Sequence, residues 1–565
     1  MTSPSSTSSA SPPAAAARHK GSIRETFISI IIAFAMAFVF RGFVVEAFLI
    51  PTGSMAPTLL GQHMRFQSRS TGYAWPVDTR DRNAYSGNPL PIQGSSRPVV
   101  GIRPYPETPR TPGSITVHDP MSRDRIEQSN IPVAWGDRIF VLKYLYSIYD
   151  PQRFDVVVFK NPTDPTQNFI KRLVGLPNEM VALIDGDVFT RPASAADAGA
   201  PNPWLLPGWT VQRKPERAQL AMWQTVADTS YAPINSETLG RKPVWRAATP
   251  EHASRWRIGH APTFAYTGEG PSALEWNPEF PINDSYAYNE ASQPEANRVP
   301  VGDVRLSAGI EAAADGLVAS PVVRHRGHEF RADISADAVV LRMKRLARTD
   351  RAADSPGMIT TPEGEWVELA RAQRGVVFRP GQVVNIEFWH VDQSVALYVN
   401  DERVAFGAYT MTPDERLRFS VGLSAEQASA NDTSLVFAGY QQPVVRWEFG
   451  GPVTMHRVAL ARDIHYQATT YRSGPLSGRP ALATHPASTL TLGPDQFFVC
   501  GDNSPASSDG RLWDPPNPWV AEYDEDTGIV PRDLLIGKAF WVYFPAPYKR
   551  QGIPVPDFGR MRFIW

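Results

Sequence analysis

"FDVVVFKNPTDPTQNFIKRLVGLP", from Phe154 to Pro177, decides how this chain is read. It holds two short apolar runs rich in β-branched residues, broken at Asn161-Pro162 and closed at Leu176-Pro177. Such punctuation marks strands rather than helices. On a strand, Phe169, Lys171 and Leu173 share one face, and Ile170, Arg172 and Val174 the other. Lys171 is thus flanked on its own face by a phenyl ring and a leucine. Burial in such surroundings penalises an ammonium and lowers its pKa, which makes a lysine available as a base. The plainer alternative is an edge-strand lysine lying on the surface.

Neighbouring segments repeat the strand pattern. "GDRIFVLKYLY" precedes it and "EMVALIDGDVF" follows, while "DQFFVCGDN" and "IGKAFWVYFP" lie over 300 residues further on. Together they predict one β-rich unit split by an insertion. Within the insertion, residues 191 to 319 read as irregular and Pro-rich, and 320 to 470 as antiparallel strands. "VVNIEFWHV" points Val384, Ile386 and Phe388 inward, and "SVALYVNDERVAFG" does the same with Val395, Leu397 and Val399. The pattern resembles a β-sandwich of the concanavalin/laminin-G kind. Its expected role is structural, as a spacer, with glycan or protein binding as the alternative. Residues 61 to 134 are turn-rich and form a smaller insertion without recognisable chemistry. The fold class expected is therefore mainly β.

Composition narrows function. In 565 residues, 56 Lys and Arg balance 57 Asp and Glu for a net charge of -1, which gives no support to nucleic-acid binding. With 53 prolines and 40 glycines the chain is full of turns. The single cysteine, Cys500, excludes an internal disulfide and a multi-Cys metal site. It ends an apolar strand and reads as a small buried hydrophobe rather than a nucleophile.

The N-terminus divides into a tail expected to be disordered, residues 1 to 25 and low in complexity up to 17, and an apolar segment, 26 to 45. Phe27 to Phe40 is 14 residues, short of the about 20 that a spanning helix needs. Continuing past a snorkelling Arg41 supplies the rest. No small-x-small cleavage site follows, so a retained anchor is expected rather than a cleaved leader. The cluster Arg18, His19, Lys20 and Arg24 then leaves the tail in the cytoplasm and everything after Val45 outside.

Directly after this segment comes "LIPTGSMAPTLLG", Leu49 to Gly61, in which Pro51 and Gly53 shape a turn around Ser54. A serine is a poor nucleophile without a base. None of the 11 histidines, among them His63, His118, His390, His456 and His465, sits in a conspicuous motif. There is no G-x-S-x-G elbow and no H-E-x-x-H helix. A third segment, "GDNSPASSDGR" from Gly501 to Arg511, offers hydroxyls in Ser507 and Ser508 that a buried amine would need, and Asp509 and Arg511 to fix the turn.

These three segments, in this order behind one anchor, resemble the type I signal peptidases of the bacterial serine-lysine class. The resemblance covers about residues 18 to 61, 135 to 190 and 493 to 545, with 471 to 565 as the second part of the catalytic unit and 46 to 190 the first. It implies Ser54 as nucleophile and Lys171 as general base. It implies the Thr52 hydroxyl beside the Ser54 N–H as oxyanion hole, and Ser507 as the residue that orients the lysine. Asp502, Asp509, Arg511 and Arg172 match structural charges. Phe48, Ile50, Met55, Leu59, Val158 and Ile170 match a pocket for small substrate side chains. The Ser504-Pro505-Ala506 stretch departs from more polar versions, which bears on the turn and not on Ser507. No metal or cofactor is implied. The implied partners are signal-peptide-bearing preproteins, the bilayer and the translocation machinery, at a bacterial cytoplasmic membrane with the catalytic part outside. Two rivals use the same residues. One is a self-cleaving LexA-like Ser-Lys peptidase, against which stand the anchor and the lack of N-terminal DNA-binding helices. The other is an inactive envelope binding protein whose sandwich carries the function.

Overall fold

The computed structural model describes residues 23–39, 44–79, 114–194, 199–233, 242–258, 262–289, 298–351, 358–430, 435, 439–471, 474–550 and 553–565. The tail up to residue 22 and residues 40–43 of the expected anchor lie outside these. Two compact units are formed, Met1–Glu46 and Ala47–Trp565. The first contains the helix Ile23–Val39, which begins inside the tail expected to be disordered and on which Phe27, Ile31, Phe34 and Met36 are exposed. Among the described residues no helix is long and apolar enough to cross a membrane. The span expected over 26 to 45 overlaps this 17-residue helix only as far as Val39.

The architecture is mainly β. The first sheet runs Val45–Leu49, Arg138–Leu142, Leu535–Phe544, Val156–Asn161, Asp164–Gly175, Gln496–Cys500, Val530–Pro531, with Arg562–Phe563 also paired on Leu535–Phe544. Strands from both ends of the sequence interleave here, as the repeated apolar runs predict. The strand bearing Lys171 is central, paired through Val157↔Lys171 on one side and Cys500↔Arg172 on the other. The edge-strand alternative for Lys171 is thereby excluded. A four-stranded sheet, Thr210–Val211, Asp187–Pro192, Glu179–Ile184 and Leu490–Thr491, continues from it.

Two larger sheets follow. One orders Trp256–Arg257, Thr263–Tyr266, Val453–Arg462, Val304–Ala312, Val384–Val391, Ser394–Val399 and Glu402–Ala408, with Gln224–Asp228 added on Val453–Arg462. The other orders Trp245–Ala247, Ser272–Trp276, Val444–Phe449, Ala319–His325, His328–Ile334, Val339–Arg345 and Val367–Ala372. Both contribute to one core, Leu306, Ile386, Phe388 and Leu397 from the first and Val323, Phe330, Leu341 and Trp447 from the second. Val384, Ile386, Phe388, Val395 and Leu397 are buried as the alternation predicts, while Val399 is half-buried.

The boundary at 319/320 does not hold. Strands of the first of these sheets begin at Gln224 and those of the second at Trp245, well inside the stretch expected to be irregular. Beside the nine-residue Val304–Ala312, the strands up to Trp276 are two to five residues long and bury Trp245, Trp256 and Trp276. Segments so short show no period to read. Likewise 61 to 134 is more than turns. His63–Gln67, Ala74–Asp78 and Val133–Ala134 form a sheet, Ser114–His118 and Arg125–Ser129 a hairpin. They share a small core of Met64, Phe66, Trp75, Val77, Val117, Ile131 and Val133.

Candidate active site

Ser54 lies in a single 3-10 turn, Gly53–Met55, entered from Thr52 in extended conformation. The Ala56 N–H closes the turn on the Gly53 carbonyl at 3.0 Å, and the Leu59 N–H reaches the Met55 carbonyl at 2.8 Å. Met55 and Leu59 are fully buried, which drives the turn onto the first sheet. Gly61 is required here, since a Cβ at that position would meet the Thr52 carbonyl carbon at 2.2 Å.

Lys171 Nζ lies 2.8 Å from Ser54 Oγ and 3.2 Å from the Ile170 carbonyl oxygen. Ser54 is 6% exposed and Lys171 4%. The amine sits 5.2 Å from the centre of the Phe169 ring, as strand alternation predicts. Phe169 and Leu173 join one apolar cluster with Val157 and Val499, while Ile170 packs into another.

The four charges expected to be structural form two buried pairs. Arg172 Nε and Nη2 each donate to Asp502 at 2.7 Å, and Nη1 donates to the carbonyls of Phe154 and Trp565. Burial alone would lower the Arg172 pKa, but the Asp502 carboxylate outweighs it and holds the guanidinium above its usual value. Arg511 donates twice to Asp509, at 2.9 and 2.8 Å. Burial pushes Asp509 up, yet Arg511 and the Gly501 N–H bring it below the usual carboxylate range. The Thr58 hydroxyl donates to Asp502 as well, a contact that the sequence pattern did not reveal.

The six pocket candidates do converge. Phe48, Ile50, Met55, Leu59, Val158 and Ile170 belong to one apolar cluster beside Ser54. Ile50, Met55, Leu59 and Val158 are at most 3% exposed and so form its floor, leaving Phe48 and Ile170 at the surface. Thr52 is exposed two residues before Ser54 and caps nothing with its hydroxyl. Ser507 differs from expectation. It is buried against Gly501, but its hydroxyl has no hydrogen-bond partner among the described residues, so it does not orient the Lys171 amine here. The Ser504-Pro505-Ala506 departure forms a short 3-10 turn, in which Ser504 Oγ accepts from Arg511 at 2.7 Å and from the Gln467 N–H at 2.8 Å.

Further residues at the site come from afar. Asn503 Nδ2 donates to the Gly53 carbonyl at 2.9 Å, and the Asn503 N–H to the Ser54 carbonyl at 3.1 Å. Tyr286 OH donates to the Asp502 carbonyl at 2.7 Å, and Asn289 exchanges amide hydrogen bonds with Asn503. Asn503 stands in the quoted "GDN" and was within reach of the sequence. Tyr286 and Asn289 stand in no motif.

Cys500 is fully buried and its thiol is pushed up by burial, in keeping with a packing role. Among the described residues, Asp187, Asp303 and Asp392 bring three carboxylate oxygens within 4.8 Å of one another. Arg416 and Lys214 already occupy the space beside them, 2.7 Å from Asp187 and in contact with Asp392.

A family model described as "Signal peptidase, peptidase S26" matches residues 23–85, 125–232 and 375–544. Signal peptidase I of Rickettsia typhi (strain ATCC VR-144 / Wilmington) is 24% identical over 168 residues, 30% of this chain and 43% of its own length. Signal peptidase I of Pseudomonas fluorescens is 47% identical over 58 residues, 8% of this chain and 20% of its own. The chain spans less than half the length of these curated relatives. Among solved structures, a carbohydrate binding module from Bacillus subtilis has TM-score 0.22 at 8% identity, over 39% of this chain and 95% of that one. A Caenorhabditis elegans galectin has TM-score 0.15 at 15% identity, over 29% and 84%. Likeness at that level carries no argument.

Proposed function

The chain belongs to the signal peptidase (peptidase S26) family, and from that premise we propose that it is a membrane-anchored serine endopeptidase that removes signal peptides from exported preproteins. The observation that carries this reading is the buried 2.8 Å contact between Lys171 Nζ and Ser54 Oγ. In the mechanism an uncharged Lys171 amine takes the Ser54 proton as Oγ attacks the scissile carbonyl. The oxyanion is met by the Ser54 N–H and the Thr52 hydroxyl, each donor worth about 3 kcal/mol of barrier. Lys171 then gives its proton to the leaving amine, and takes one from the water that releases the acyl group. Burial of both side chains supports this chemistry, because desolvation penalises the ammonium form.

In this reading residues 26 to 45 anchor the protein in a bacterial cytoplasmic membrane, with the tail cytoplasmic and Ala47–Trp565 outside. Its partners are preproteins and lipid, with the translocation machinery delivering the substrate. Phe48 and Ile170 face the small side chains near the cleavage point. The paired sheets after Gln224 are a domain of the concanavalin/laminin-G kind inserted into the peptidase.

Ser54→Ala and Lys171→Ala test the assignment on a preprotein substrate in detergent micelles. Each should lower kcat by at least about a thousandfold while leaving the fold intact. Wild-type turnover in either variant overturns it.

A further inference from the structure

The family match leaves out residues 233–374, yet part of that stretch is built into the Ser54 turn. Asp284 to Asn289 runs past the turn with Tyr286, Tyr288 and Asn289 all buried. A Cβ on Gly53 would lie 2.2 Å from Tyr288 Cε1, so ring and turn are in closest contact. The strap is itself fixed. Asp284 accepts from the Val299 N–H at 2.9 Å and from Gln467 Nε2 at 2.7 Å. Arg462 donates to the Ser285 carbonyl at 2.8 Å and lies 4.5 Å from the centre of the Tyr286 ring.

Tyr288 OH donates to the Gln62 carbonyl at 3.4 Å, while the bonds of Tyr286 and Asn289 bear, directly or through the Asn503 side chain, on two peptide units that matter for catalysis. The Gly53 carbonyl and the Ser54 N–H belong to one planar peptide, pointing in opposite directions. Whatever holds the Gly53 oxygen therefore aims the Ser54 N–H. That oxygen accepts from the Ala56 N–H within the turn and, from outside it, from Asn503 Nδ2, whose amide is locked in turn by Asn289, with Nδ2 of Asn503 donating to Asn289 Oδ1 at 2.8 Å. Asn289 Nδ2 donates back to Asn503 Oδ1. The Asp502 carbonyl and Asn503 N–H form the second unit. Tyr286 OH holds the carbonyl, and the N–H donates to the Ser54 carbonyl. Without Asn289, the Asn503 side chain keeps the Gly53 bond alone and is free to rotate.

We propose that Asn289 and Tyr286, contributed from outside the family's matched segments, are positioning residues that aim the Ser54 N–H at the oxyanion. This rests on the peptidase reading above, and it makes the inserted region a working part of the site rather than a spacer. A misaimed donor weakens the transition state and leaves ground-state binding alone, so the loss falls on kcat.

The test uses the full chain with Asn289→Ala, Asn503→Ala, the double variant and Tyr286→Phe. Two readouts apply: kcat and KM for preprotein cleavage, and the p-nitrophenyl acetate burst. In the burst, acetyl passes to Ser54 Oγ and one p-nitrophenolate leaves per site. Asn289→Ala should lower kcat and burst rate about 10- to 100-fold with KM within about twofold, the scale of a small misplacement. The double variant should be no worse than Asn503→Ala, because Asn289 acts through Asn503. Tyr286→Phe should lower kcat about 3- to 10-fold, and it decides the matter if Asn289→Ala does not fold. Unchanged kcat in folded variants, or multiplying losses in the double, overturns the inference while the peptidase reading stands. A wild-type chain without Ser54-dependent cleavage or burst overturns both.

Discussion

Two sets of buried charge within Ala47–Trp565 are built on opposite plans. Beside Ser54 each carboxylate has its own guanidinium, Asp502 with Arg172 and Asp509 with Arg511, and all four side chains are fully buried. Where the four-stranded sheet meets the two larger ones, Asp185, Asp187, Asp303, Asp392 and Asp463 have Arg326, Arg416 and Lys214 as their Arg and Lys partners among the described residues. Burial and mutual repulsion among these acids raise two of their pKa values. Burial pushes Asp187 well above the usual carboxylate range, and the nearby Asp303 and Asp392 add to it. Asp463 is pushed up to about 6 by burial, against the pull of Lys214. One-to-one pairing fixes the charge that frames the Ser54 turn, whereas the acid-rich junction makes stability answer to pH.

The comparison can be broken by substitution. Arg172→Leu should cost the most, about 3–5 kcal/mol, by leaving the Asp502 carboxylate buried without its guanidinium; urea unfolding reads it. Histidines at the junction come next. His390 is fully buried between the Gly302 carbonyl and Tyr409 OH, and burial lowers its pKa to about 4. A depressed base contributes stability that is complete above 6.5, its unfolded value, and is lost as pH falls through about 4. From pH 7 to 4 the wild type should therefore lose about 3 kcal/mol relative to His390→Gln. A pH-independent gap would refute this.

Lys214→Met should cost about 2 kcal/mol at pH 7.5, and less near pH 5, where Asp463 is protonated. The Asp463 sign runs opposite to that of His390. Its raised folded pKa gives stability present below 3.8 and lost as pH rises through about 6. An equal cost at both pH values would make the junction resemble the Ser54 site. Asp187→Asn should do least, under about 1 kcal/mol at pH 7, since burial and the neighbouring Asp303 and Asp392 already disfavour the charged form of this carboxyl. A loss above about 2 kcal/mol would show an ionised Asp187 and end the contrast.

Legible from the residues alone were the mainly β fold and the candidate pair Ser54 and Lys171, which the structure brings to 2.8 Å. Ser54 and Lys171 sit in short segments whose own prolines, glycines and apolar neighbours specify a turn and a strand, and Asp502 and Arg511, each in a buried ion pair, stand in a third such segment. The alternation at 384–399 likewise needs only neighbouring residues to be read. What the tertiary structure alone decided is held by groups far apart in the chain. Asn289 meets Asn503 across 214 positions, and Arg416 meets Asp185 across 231. A Tyr or Asn in a loop looks the same in sequence whether it faces water or a catalytic peptide, because a hydrogen bond leaves no period along the chain. The same holds for the silent Ser507 hydroxyl: the motif specifies the residue, but packing sets where its oxygen points.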